Sequence, residues 1–210
     1  MDIWPAVAEE RLVLAEVLAG LTPQQWDTPS LCGAWTARAV ATHLLLPLVS
    51  GVRGFLPDLV RARGRLHDAS EIGVARAMER MTTAELVAGL RAQAGNRFRP
   101  PTMPPATSLT EVLVHGQDIL VPLGIDFRRP VERWEVVLGF LTSAAARRGI
   151  VHGRIPAVRL VAADTEWTHG SGPEVDGPVR ALGLTLAGRD ARLGELRGPG
   201  VPLLEAWVRR

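Results

Sequence analysis

The sequence contains no lysine: its 24 basic residues are all arginine, set against 22 acids. That composition carries the pI to about 9.8 although the formal charge is only +2. The arginines are scattered among the acids, so no basic block is present that would track a nucleic-acid backbone. The densest run, Arg61, Arg63 and Arg65, reads as a solvated helix end. Cysteine occurs once, at Cys32, which excludes an intrachain disulfide framework. With no basic residue nearer in sequence than Arg38, Cys32 reads as a packing residue. The start, MDIWPAVAEERLVLAEVL, has acids where a secretory signal needs a basic stretch followed by an apolar run. Long hydrophobic runs are also missing. The segment Ala39–Val49 is interrupted by Thr42, His43 and Pro47, and reads as too short and too polar for a membrane span. These absences predict a cytoplasmic protein with neither membrane nor nucleic-acid partner, a monomer or homodimer.

What is present is the composition of a packed globular chain, 47% hydrophobic and 22% charged over 210 residues, enough for one large domain or two small ones. Leu12, Leu14, Ala15, Leu18 and Leu21 recur at helical spacing up to Gly20 and Thr22-Pro23. Thr36 is placed to cap a second helix that Pro47 should kink or end. A third helical region covers about 69–93, with a capping-box spacing at Thr82-Thr83-Ala84-Glu85. The proline-rich RPPTMPPATS reads as a connector. A fourth helix opens near Ser108 and runs to about Val121. A fifth spans about 131–148, with Gly149 at its C-terminal position. Beyond it the pattern changes. Ala157–Ala162 alternates like a strand, THGSGPEVDGP reads as a turn-rich loop holding His169, and 178–186 and 201–208 read as helices. His152 falls in a second glycine-rich stretch. The expected fold class is α+β: a helical bundle over 1–150 and a small α/β domain over 151–210.

The chemistry concentrates in Glu111-Val112-Leu113-Val114-His115. Residues four apart share a helix face, so both side chains reach one ion. Carboxylate oxygen and imidazole nitrogen are ordinary ligands for zinc and its first-row neighbours. His43, in AVATHLLL, is the candidate third ligand, because an imidazole without a partner is costly in an apolar setting. Two histidines and one carboxylate leave coordination positions open. Each residue also has a plainer role available: a core histidine at His43, a capping-box glutamate at Glu111 after Ser108, a solvent-facing histidine at His115. Asp118, one turn beyond His115, fits a carboxylate that orients the imidazole of a ligand. It equally fits a first ligand in place of Glu111, or an arginine partner.

At these residues the chain resembles the mycothiol-dependent maleylpyruvate isomerase family. The stretch ERLVLAEVLAGLTPQQWDTPSLCGAWTARAVATHLL is similar to that family's first two helices, and EVLVHGQDILVPLG to its second metal motif. LVAADTEWTHGSGPEVDGPVRALGLTLAGRD and ELRGPGVPLL are similar to its sterol-carrier-like C-terminal domain. The resemblance implies a DinB-like up-down four-helix bundle in which His43, Glu111 and His115 hold a divalent metal, zinc above others. It implies mycothiol as the thiol cosubstrate, an electrophilic small molecule as substrate, and isomerisation or S-transfer as the reaction. It also implies a catalytic role for Arg189, whose guanidinium suits a substrate carboxylate and equally suits the C-terminus of the preceding helix. Two other readings of the residues stay open: a non-catalytic module binding metal and a small ligand, and a non-haem iron oxygenase.

Overall fold

The computed structural model describes residues 2–148, 151 and 153–209. The chain divides into two compact units, Met1–Phe127 and Arg128–Arg210.

The first unit is helical: α1 (Trp4–Ala19), α2 (Pro23–Trp26), α3 (Ala37–Arg61), α4 (Leu66–Met78), α5 (Thr83–Ala92) and α6 (Ala106–Leu120). Helices α1 and α3 each pack on both α5 and α6, which closes a four-helix bundle, and α4 lies along α3. The core is built from the apolar stripes read in the sequence, with Leu14, Leu18, Leu45, Leu90, Leu109 and Leu113 excluded from water. The caps fall where their chemistry places them. Thr36 accepts from the Ala39 amide, and Thr82 and Glu85 form a reciprocal capping box. The region expected over 69–93 resolves into α4 and α5. Arg61 and Arg65 are exposed and pair locally with Asp58 and Asp68.

Helix α3 departs from expectation. It continues past Pro47, and its break falls at Gly51, at φ 57° and ψ −166°, a conformation only glycine adopts without strain. The helix that results is long and apolar enough, by length and composition, to cross a membrane, unlike the shorter run read in the sequence. Its N-terminal part buries Val40, Ala41 and Leu45 in the bundle.

The second unit contains α7 (Val131–Leu141), β1 (Arg159–Ala162), β2 (Thr168–Gly170), β3 (Glu174–Gly177), α8 (Val179–Leu186) and α9 (Val201–Val208). Helix α7, read as a fifth element of the bundle, instead packs on α8, so the division falls at Phe127 rather than near residue 150. Gly183 permits this. A Cβ there would stand 2.7 Å from Cε3 of the fully buried Trp134, so only a glycine lets the two helices close. Helix α7 also stops short of 148, with a 3₁₀ turn over Ala146–Arg148. The expected helix-end Gly149 and the loop His152 lie outside the described residues.

The segment read as a turn-rich loop supplies two strands. The sheet order is β2-β1-β3, with β1 antiparallel to β2 and parallel to β3. The chain passes from one edge to the other through Gly170 and Gly172, both at positive φ and both close against the carbonyls of Val158 and Ala157. Glycines that look like loop residues are what let the strands form. Trp167 is half-buried and stacks on the exposed His169.

Candidate metal centre

Helix α3 presents His43, and α6 presents Glu111 and His115 one turn apart. Their ligand atoms lie within 4.8 Å of one another. Nε2 of His43 and Nε2 of His115 each stand 3.3 Å from the same oxygen, Oε2 of Glu111. The rings are edge-on, with centroids 5.0 Å apart. Ligands about 2.0–2.1 Å from a zinc ion in tetrahedral array stand roughly 3.3 Å apart, so the spacing is that of a coordination shell. The bundle thus brings together the three residues expected to converge, one of them 68 positions from its neighbour.

The outward nitrogens are held as well. Nδ1 of His115 is 2.8 Å from Oδ2 of the fully buried Asp118. Nδ1 of His43 is 3.2 Å from the hydroxyl of Ser70 on α4. With a proton kept on Nδ1, release of the Nε2 proton that now faces Glu111 would leave an Nε2 lone pair directed at the common point, the arrangement found behind ligating histidines. Asp118 lies outside the His43–Glu111–His115 group and forms, with His115 and Cys32, a second cluster of close ligand atoms. Ser70 carried no signal in the sequence: a serine in a mixed helix has no spacing that relates it to His43.

The capping role for Glu111 does not hold. Helix α6 begins at Ala106, so Ser108 is already inside it, and its hydroxyl donates to the Phe98 carbonyl. Nor is His115 a surface histidine, since its side chain is 12% exposed. Trp35 covers His43 at a ring separation of 5.1 Å and stacks on His67. Cys32 is more than packing: its sulfur lies against His115 and Asp118 and hydrogen-bonds the imidazole.

Charge within the group is strongly perturbed. Burial works to raise the Glu111 pKa, but hydrogen bonds from His115 and His43 and their charges outweigh it and hold the group well below the usual carboxylate range. Burial likewise works against the His115 cation. Hydrogen bonds to Asp118, Cys32 and Glu111, with the Glu111 charge, together raise its pKa well above the ordinary 6.5.

A cavity of about 180 Å³ opens beside the cluster, bordered by His43 and Glu111 and walled by Leu14, Pro47, Phe98 and Val112. Arg11 also lines it. The residue is 7% exposed, and its Nη1 donates to the carbonyls of Ala94 and Asn96 beyond the end of α5. Burial pushes its pKa down to about 10, which still leaves it charged at neutral pH.

Arg189, expected to act on substrate, sits just past α8. Its Nη1 donates to the carbonyl of Ala187, the residue that ends that helix, which is the capping arrangement.

Residues 7–107 match the family described as the mycothiol maleylpyruvate isomerase N-terminal domain. Two crystal structures of a mycothiol-dependent maleylpyruvate isomerase resemble the whole chain, each over 95% of this chain and 96% of that one. One has 12% identity and a TM-score of 0.53. The other, a histidine-to-alanine variant, has 15% and 0.55. At such identities the likeness establishes the fold. No curated protein matches the chain at a comparable level.

Proposed function

We propose that this chain, whose residues 7–107 match the mycothiol maleylpyruvate isomerase N-terminal domain, is a divalent-metal-dependent enzyme using a low-molecular-weight thiol, mycothiol, for isomerisation or S-transfer on an electrophilic small molecule. The observation that carries this reading is the convergence of His43 Nε2, His115 Nε2 and Glu111 Oε2 at coordination spacing, with each Nδ1 held by an oxygen partner. A divalent cation, zinc being the ion this donor set suits best, supplies Lewis acidity that lowers a thiol's pKa and keeps positions open for sulfur.

The chain's own residues supply the rest. Asp118 favours a proton on Nδ1 of His115, which leaves Nε2 as its ligating atom once deprotonated, and Ser70 holds the orientation of the His43 ring. Glu111 brings one negative charge, which leaves a bound dication with net positive charge to attract a thiolate. The apolar walls of the cavity keep water from competing for the electrophile. Reversible addition of the sulfur across a conjugated double bond, rotation, and elimination of the same sulfur interconvert geometric isomers with no net use of thiol. Displacement of a leaving group by the same sulfur is S-transfer. In this reading Arg189 acts on turnover rather than on metal content, and the protein is cytoplasmic.

Protein purified without chelator should contain about one equivalent of divalent metal, and His43→Ala protein should contain essentially none. In a cobalt-substituted sample, mycothiol should add a sulfur-to-metal charge-transfer band. A spectrum unchanged by saturating mycothiol would overturn the thiol chemistry and leave a metal-binding module.

A further inference from the structure

The cavity beside the ligand cluster carries two polar groups that the metal site does not use. Arg11 is buried there and forms no ion pair with any described residue; it donates through Nη1 to the backbone carbonyls of Gln93, Ala94 and Asn96. On the same wall, Oγ1 of Thr107 is buried and has no hydrogen-bond partner among the described residues. A buried cation without a counter-charge and a buried hydroxyl without a partner each carry a desolvation cost that the protein itself does not recover. One ligand group answers both, since a carboxylate supplies the charge that Arg11 lacks and an acceptor for the Thr107 hydroxyl. The volume suits a small molecule, because a cavity of about 150 Å³ already accommodates a benzene ring, and this one is 180 Å³.

We propose that this cavity is the carboxylate-binding subsite for the small electrophile, with Arg11 as its counter-ion and Thr107 as its second hydrogen-bond donor. The apolar remainder of such a molecule then lies along Leu14 and Phe98, and its reactive end meets the His43–Glu111 edge of the cavity. The Glu111 carboxylate borders the same space but is already engaged by two imidazoles. The assignment selects short unsaturated monoanions or dianions over their uncharged amides. It rests on the function proposed above only in treating the ligand as substrate.

The test compares crotonate with crotonamide, near-isosteres that differ in charge, titrated by NMR into zinc-loaded and zinc-stripped protein. Crotonate should bind at least tenfold more tightly than crotonamide in both forms. Thr107→Val, which removes only the unpartnered hydroxyl, should weaken crotonate several-fold, and Arg11→Lys tenfold or more, with zinc content and crotonamide binding unchanged. Should Arg11→Lys fail to fold, Thr107→Val decides. Equal affinities for the two probes, crotonate binding that vanishes with the zinc, or variants within twofold of the parent would each overturn the subsite. Crotonate binding that needs Arg11 and Thr107 while mycothiol leaves the cobalt spectrum unchanged would uphold the subsite and sink the thiol chemistry.

Discussion

Asp118→Asn tests whether the groups behind the histidines tune the metal. Oδ2 of Asp118 stands 2.8 Å from Nδ1 of His115, and its side chain is fully excluded from water. A charge-assisted bond of that kind is roughly twice as strong as a neutral one. Removing the outer partner of a ligating histidine commonly costs about 10–100-fold in metal affinity, or about 1.4–2.8 kcal/mol at 1.4 kcal/mol per decade. Asparagine keeps an oxygen acceptor and nearly the same volume but loses the charge, so the upper half of that range is expected. Ser70→Ala removes a neutral partner at 3.2 Å on a more accessible ring, and should cost about tenfold or less. The assay is competition for zinc against a chromogenic chelator at fixed pH, with thermal melts of the zinc-free proteins as a control for folding. An Asp118→Asn affinity within twofold of the parent, or a larger loss in Ser70→Ala, would refute the reasoning.

Zinc binding should release protons. His115 is held protonated at neutral pH, and its Nε2 has to give up that proton to ligate, whereas Glu111 is already ionised. Affinity should therefore rise about tenfold per pH unit near pH 7, with about one proton released per zinc in calorimetry across buffers of different ionisation enthalpy; pH-independent binding would contradict this. Gly183→Ala should destabilise by about 1–2 kcal/mol, as overpacking against Trp134 exceeds the helix-propensity gain. Gly139→Ala, with open space around it on α7, should instead stabilise by up to about 1 kcal/mol in denaturant titration. The buried Asp58 carboxylate is gripped by both terminal nitrogens of Arg76, so Asp58→Ala should cost about 3 kcal/mol, read by the same titration.

The convergence of His43, Glu111 and His115 was legible because each member broke a pattern. His43 interrupts an apolar stripe, and Glu111 and His115 sit one helical turn apart, so spacing alone put two of the three on one face. Caps at Thr36 and Thr82 were legible for a similar reason, since their bonds close within a few residues. Ser70 and Arg11 were not, because their partners come from other helices and nothing local marks them. Arg11 follows two glutamates and looks like surface charge, whereas the fold buries it against the carbonyls beyond α5. The strands β2 and β3 were hidden by their glycines, which signal turns until the crossing over β1 is known. The assignment of α7 failed on packing: its apolar face says that it is buried, not which unit buries it.

The three strands come entirely from residues 159–177, so each rung joins positions close along the chain. Closing loops that short costs little entropy, and the ladder need not wait for distant segments to arrive. Three strands of three or four residues bury too little to persist alone, however, and it is α8, following directly, that covers β1. During synthesis, then, the amides of Leu160 and Ala162 should gain lasting protection against exchange only after Leu186 has cleared the ribosome.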